Sequence, residues 1–363
     1  MGNLSAVLAE TLVIAAGALA LAGTLSDARA GIPEVDPDGT IHIQELVVPL
    51  SELLSPEARR YMAHLLVDHP FAGGPNADAD IAGYRAHQDE IMRAFLQPMQ
   101  ARYHVKLREE RIGGIIADVV TPADGVSPTN AHRVLLNVHG GGFISGARTA
   151  ALVESIPIAA TMKIKVVSID YRLGPEAVFP AASEDVAAVY REVLKQYRPG
   201  SIGLYGCSAG GLLTAQSIAW FHAHGLPMPG AIGVLCASLG EIMAGDAASI
   251  TGPLNGFPPD GRKMGPFMPA YYKGVSATDP LVYPIISPEL LKLFPPTILV
   301  TATRSLEFSA AINSHNALVK AGVNAELHVW DGLFHGFFYN SELPESREVY
   351  DVLSTFFGRR LTH

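Results

Sequence analysis

Between residues 105 and 359 short β-branched runs alternate with longer stretches of helical spacing, and this rhythm leaves few folds open. Runs at 134–138, 164–169, 202–205, 231–237, 297–301 and 325–330 read as strands. Helical patterns at 149–162, 181–197, 209–224, 309–321 and 345–359 are interleaved with them. Parallel neighbours in one sheet require right-handed crossovers through helices, and a sheet built that way is covered on both faces. The near-continuous apolar character of these runs agrees with such burial. Two further runs, 105–112 and 115–121, are joined by Gly113-Gly114, a hairpin signal. The expected fold class is therefore α/β, a mainly parallel central sheet flanked by helices.

The flanking segments read differently. Ser55-Pro56-Glu57 is a helix start, with a Ser cap and Pro at the first helical position. It opens a helix over 57–68, and a second is expected over 81–99, with a Pro-, Gly- and Asn-rich loop at 70–79 between them. Residues 239–289 break the rhythm with Gly, Pro and the aromatics Phe257, Phe267, Tyr271, Tyr272 and Tyr283, and read as an insertion folding over the sheet edge. The apolar stretch 12–23, followed by Ala28-Arg29-Ala30, has the length and end of a signal peptide, yet residues 1–11 carry Glu10 and no basic residue. Either residues 1–30 are cleaved and the protein is periplasmic or secreted, or they form an apolar helix packed on a cytoplasmic protein. The stretch is too short for a spanning helix, which needs about 20 residues.

Composition removes several function classes. Apolar residues make up 48% and charged residues 17%, so a core is available and disorder is excluded. A net charge of −9 without a basic run argues against nucleic acid, whose phosphates need clustered Lys and Arg. Cys207 and Cys236 are the only cysteines, which excludes a disulfide framework and a Cys-based zinc site and reads as two buried thiols. His222 and His224, at i and i+2 on a helix, point to different faces and read as surface residues. With no HExxH, no metal-spaced carboxylate cluster and no nucleotide fingerprint, neither metal nor cofactor is expected.

Three places carry chemistry. Gly206-Cys-Ser208-Ala-Gly210 fits G-x-S-x-G between a strand and a helix, the context in which a sharp turn lifts the serine hydroxyl above a sheet. The bland alternative is a Gly-rich turn with a capping serine. His139-Gly-Gly-Gly-Phe143 follows the 134–138 strand, and its glycines let backbone N–H groups approach a developing oxyanion. A phosphate loop is the alternative, and it lacks the required spacing. His335, in Gly332-Leu-Phe-His-Gly-Phe337, follows the last strand, giving the chain order Ser…His of an α/β-hydrolase.

With these motifs in order, together with Asp170-Tyr-Arg-Leu-Gly-Pro-Glu176 and Phe179-Pro-Ala-Ala182, the chain from Tyr103 onward resembles the bacterial hormone-sensitive-lipase family (family IV) of esterases in the α/β-hydrolase superfamily. The resemblance implies an α/β-hydrolase core at 101–240 and 291–363, with a helical cap built from 31–100 and 241–290. It implies hydrolysis of short- to medium-chain esters of small molecules, with Ser208 as nucleophile and His335 as base. Gly141, Gly142 and Ala209 would donate the oxyanion-hole amides. His139, Gly140, Phe143, Phe179, Phe337 and Phe338 would line the substrate pocket, although the four phenylalanines read equally well as core. A homodimer is implied too, and a sparsely charged surface agrees.

Two departures from the family pattern matter. Cys207 stands where relatives carry Asp or Thr, and its side chain is expected to point away from Ser208. The family's acid position falls on Ser305, which offers no charge; Glu307, two residues on and one methylene longer than Asp, is expected to reach His335 Nδ1, with the Ser305 hydroxyl as a second hydrogen bond. The alternative is that Glu307 is an ordinary acid at a helix start and the site runs as a Ser–His dyad, with Asp331 and Asp279 the next carboxylates to consider. Arg172 and Glu176 read as salt-bridge formers. Two other functions stay open: a non-catalytic hydrolase-fold ligand-binding protein, supported only by Ser305, and a serine hydrolase acting on amides, lactones or acetylated sugars.

Overall fold

The structure, a computed structural model, describes residues 34–43, 47–68, 75–256 and 270–362. The apolar stretch 12–23 with Ala28-Arg29-Ala30, residues 70–74 of the 70–79 loop, Phe257 and Phe267 lie outside these residues. The chain divides into two units at 49/50. In the first, strands Glu34–Val35 (β1) and Ile41–His42 (β2) pair antiparallel, and His42 bonds Asp36 at 2.9 Å. Two-residue strands leave no periodicity to read, so the sequence gives no sign of them.

The second unit is built on eight strands: Val105–Ile112 (β3), Ile115–Pro122 (β4), Val134–Val138 (β5), Lys165–Ile169 (β6), Ile202–Cys207 (β7), Ala231–Leu235 (β8), Thr297–Ala302 (β9) and Ala325–Trp330 (β10). Their order in the sheet is β10-β9-β8-β7-β5-β6-β4-β3. The β3–β4 hairpin and the β4–β6 pair are antiparallel, and every other pairing is parallel. Strands β5, β7, β8 and β9 are buried along their whole length, as their apolar sequences require.

The helices are Pro56–Asp68 (α1), Ile81–Arg102 (α2), Ala150–Met162 (α3), Ala181–Val193 (α4), Ala209–Ala223 (α5), Asp246–Leu254 (α6), Pro288–Leu291 (α7), Phe308–Lys320 (α8) and Pro344–Arg360 (α9). Val186, Tyr190 and Val193 of α4 and Leu213, Ile218 and Phe221 of α5 pack in one core. A second core joins Met62 of α1, Val153 and Ile156 of α3 and Tyr350, Phe356 and Phe357 of α9. Helix α3 is apolar on almost every side because it lies between the sheet and other helices; its one charged residue, Glu154, is buried.

The structure departs from the sequence reading at several places. The 231–237 run ends as a strand at Leu235 because Cys236 adopts a left-handed φ of 44°. The 181–197 helix stops at Val193, where the chain turns back on the Val193 carbonyl through the amides of Gln196 and Tyr197. Helix α6 forms within the 239–289 segment and α7 spans its end, both helices that the Gly and Pro content conceals. Among the described residues no helix is long and apolar enough to cross a membrane.

Candidate active site

Ser208 sits between β7 and α5 at φ 57°, ψ −123°, a conformation that costs a non-glycine residue about 1–3 kcal/mol and persists only where its surroundings enforce it. They do so here through the Ser208 amide, which donates to Leu235 O at 2.8 Å, and through the two flanking glycines. A Cβ on Gly206 would lie 2.0 Å from the Val138 carbonyl oxygen, and one on Gly210 only 1.8 Å from it. The end of β5 therefore packs directly on the elbow, which is why both positions lack a side chain.

That contact also sets the next loop. Gly140 packs against Ser208 Cβ and Cys207 O, so closely that a Cβ there would meet them at 3.3 and 2.9 Å. Gly141, Gly142 and Phe143 follow at φ 120°, 63° and 62°, and the amides of Ile144 and Ser145 close the turn on Gly141 O. Among the described residues the amides of Gly141, Gly142 and Ala209 make no hydrogen bond, and all three belong to the segments that meet at Ser208. His139 is fully buried and stacks on Tyr171 with ring centroids 4.3 Å apart. Burial lowers its pKa to about 4, so the ring is neutral, and the Gly140 carbonyl at 2.7 Å fixes the proton on Nδ1.

His335 lies in the loop after β10, and its Nδ1 is 2.8 Å from Glu307 Oε2. Glu307 is the N-cap residue of α8, but its side chain makes no cap bond and turns inward instead. Its carboxylate is fully buried, and Thr301 at the end of β9 donates to Oε1 at 2.8 Å. The second hydrogen bond thus comes from Thr301. The Ser305 hydroxyl, also buried, lies beside the carboxylate without hydrogen-bond geometry and helps to lower its pKa. Burial alone would raise the Glu307 pKa, yet the charge and hydrogen bond of His335 outweigh it and the net shift is downward. Burial correspondingly depresses His335, while the adjacent Glu307 carries its pKa up to about 9. Asp331 is engaged by Ser51 and Thr303, and Asp279 accepts from the Leu281 amide, so neither is the partner of His335. Among the described residues Ser208 Oγ and His335 make no direct hydrogen bond; such links commonly tighten only with substrate bound.

Of the aromatic pocket candidates, Phe143 stacks on Tyr271 at 4.9 Å and meets Tyr272 edge-on, and Phe179 packs on the same two tyrosines. This wall adjoins the glycine loop. Phe337 and Phe338 instead lie in the second core, against Trp330 and Tyr350. Arg172 pairs with Glu184 and Asp185, whereas Glu176 pairs with Arg85 of α2, a residue that the sequence reading did not single out. His222 and His224 are exposed. Cys236, Glu307 and His335 offer ligand atoms within 4.8 Å of one another, the group among the described residues able to hold a metal ion.

A strained serine on a strand–helix elbow, a glycine loop presenting amides and a carboxylate-bound imidazole define an α/β hydrolase, and residues 135–339 match the alpha/beta hydrolase fold family. An acetyl-hydrolase of Streptomyces hygroscopicus is 29% identical over 250 residues, covering 68% of this chain and 80% of the relative. Esterase E25 superposes with a TM-score of 0.77 at 27% identity, covering 88% of this chain and 99% of that one. An esterase of the bacterial hormone-sensitive-lipase family superposes with a TM-score of 0.71 at 25% identity, over 85% and 99% of the two chains. The chain belongs to the α/β-hydrolase fold family, in its bacterial hormone-sensitive-lipase group, and is a hydrolase of the esterase and acetyl-hydrolase type.

Proposed function

We propose that this protein is a carboxylesterase that cleaves short- to medium-chain acyl esters through an acyl-enzyme on Ser208. The observation that carries the reading is the buried Glu307 carboxylate 2.8 Å from His335 Nδ1. A proton held on Nδ1 leaves Nε2 as the basic nitrogen, and the carboxylate stabilises the imidazolium that forms when Nε2 accepts the Ser208 proton. Ser208 Oγ then attacks the acyl carbon, and the amides of Gly141, Gly142 and Ala209 receive the oxyanion. Collapse expels the alcohol, which takes the proton from His335. Water attacks the acyl-enzyme with His335 again as base, releasing the acid and restoring Ser208. The non-catalytic alternative rested on the missing acid at Ser305, and a carboxylate reaching the imidazole from position 307 removes that ground.

The test is a serine-directed fluorophosphonate probe together with hydrolysis of p-nitrophenyl butyrate. Wild-type protein should label and the Ser208→Ala protein should not, with hydrolysis down by at least about 10³-fold and the fold intact. Retention of more than a tenth of the wild-type rate would overturn the assignment. Anilides, lactones and acetylated sugars assayed alongside separate the ester reading from the other acyl-transfer substrates.

A further inference from the structure

We propose that Glu154 is a positioning residue of this site: one buried carboxylate that holds the glycine loop, the nucleophile strand and the histidine loop in mutual register. The inference rests on the esterase reading above and adds to it a residue that touches neither substrate nor Ser208.

Glu154 is the one charged residue of α3 and is 2% exposed, in a helix otherwise packed among apolar side chains. A carboxylate is retained at such a depth only when its lone pairs are met. Four donors meet them. Oε1 accepts from the Gly140 amide at 2.8 Å and from the Tyr339 hydroxyl at 2.7 Å. Oε2 accepts from Asn137 Nδ2 at 2.9 Å and from the Cys207 amide at 3.3 Å. The Asn137 side chain is itself oriented, because its Oδ1 takes the Ser168 hydroxyl at 2.7 Å and so turns Nδ2 toward Glu154.

The identity of these partners is the argument. Gly140 immediately precedes Gly141 and Gly142, Cys207 immediately precedes Ser208, and Tyr339 closes the turn Phe337–Tyr339 that follows His335. Each carboxylate oxygen thus fixes one main-chain amide beside the reacting groups, and Oε1 adds the histidine loop. A buried acid serving only the scaffold has no reason to spend all four bonds within four residues of the nucleophile, the base and the glycine loop. Burial pushes the Glu154 pKa up and the four donors pull it back, leaving it at about 7, so the anion is available under mildly alkaline assay conditions.

Glu154→Gln isolates the effect. An amide keeps the shape but replaces one oxygen by NH₂: at the Oε1 place it faces the Gly140 N–H, and at the Oε2 place it faces the Cys207 N–H. Main-chain donors cannot reverse, so either choice frees one catalytic segment. Because the loss is one of alignment, it should appear in the chemical step. We expect kcat to fall at least about 30-fold while KM changes less than about threefold. Glu154→Asp keeps the charge at shorter reach and should recover part of that loss, and Tyr339→Phe, which spares both main-chain bonds, should cost only about threefold. Circular dichroism and Tm establish that each variant is folded; should Glu154→Gln fail to fold, Glu154→Asp alone must still show a loss confined to kcat. A Glu154→Gln kcat within about threefold of wild type, a loss carried by KM, or equal losses in Glu154→Gln and Tyr339→Phe would each overturn the proposal. Wild-type protein that neither hydrolyses esters nor labels with fluorophosphonate would overturn the esterase reading instead.

Discussion

At the scale of single residues the site turns on where its carboxylate stands. Position 305, where the family pattern puts the acid, holds a serine, and the charge arrives from Glu307 at the start of α8. The extra methylene of Glu over Asp compensates for a Cα displaced by two residues, and Thr301 takes the second lone pair that keeps the carboxylate ionised in a buried place. Removing a triad carboxylate can cost on the order of 10⁴ in kcat, so Glu307→Gln should lower kcat by about 10²-fold or more. Ser305→Ala, which removes only a dipole, should cost less than about tenfold. The pH dependence follows with a definite sign. In the proposed mechanism the base works as neutral imidazole, and the Glu307 charge raises the pKa of His335 to about 9, so kcat/KM should rise with pH along a limb displaced above the ordinary imidazole value. Glu307→Gln removes the charge that favours imidazolium and should move that limb to lower pH while lowering its ceiling. A pH profile of both proteins checks this, and an unmoved limb contradicts it.

At the scale of elements, α2 acts as a clamp on the glycine loop. The Arg85 guanidinium donates to Ile144 O at 2.7 Å, to Gly174 O at 2.8 Å and to both oxygens of Glu176, and Thr149 adds a 2.7 Å bond to Asp89 one turn further along. Glu176 is largely exposed, so the ion pair itself contributes little, and the two carbonyl bonds carry the effect. Arg85→Ala should therefore lower both Tm and kcat/KM, the stability loss amounting to about 1–2 kcal/mol. Arg85→Lys should not rescue it, because a point charge cannot serve two carbonyls and a carboxylate at once. Glu176→Gln should be milder than either, and thermal melts with steady-state kinetics on the three variants decide the matter. This clamp, like Glu154, was not legible beforehand. The sheet and its crossover helices were, because β-branched runs and glycine turns leave local marks, whereas the pairing of Glu307 with His335 was expected only through the resemblance to the family, whose acid position falls on Ser305. Arg85 acts over separations of 59 to 91 residues and Glu154 over 14 to 185, and no spacing records such contacts. One signal did exist for Glu154: a single charge inside the apolar run 150–162. It says that a partner is required without saying which.

At the scale of the whole molecule, the proposed preference for short- to medium-chain esters rests on the elements packed around Ser208. The parallel strands deliver the elbow, the glycine loop and the histidine loop to one edge of the sheet, and the residues packed beside that edge are bulky. Phe143, Phe179, Tyr271 and Tyr272 form a mutually packed wall, with Tyr271 also fixed by its hydroxyl oxygen, which accepts from the Ala182 amide at 2.8 Å. Tyr272 is tied to Gln216 of α5 at 2.7 Å. Such a wall is anchored at both ends to the hydrolase core and cannot swing aside without breaking buried hydrogen bonds, each worth about 1 kcal/mol. Helix α2 holds the loop through Arg85, which bonds Ile144 O and Gly174 O. A site bounded by fixed aromatic rings gains about 0.8 kcal/mol per buried CH₂ only until the acyl chain fills it, after which each further carbon meets a wall or water. Turnover of p-nitrophenyl esters should therefore peak between about two and eight acyl carbons and fall for longer chains. Tyr271→Ala and Phe179→Ala should shift the peak toward longer chains, because they open the wall without touching Ser208, His335 or Glu307. Faster turnover of C12 to C16 esters by the wild-type protein, with activation at a lipid interface, would show that the fixed wall is not what limits the substrate.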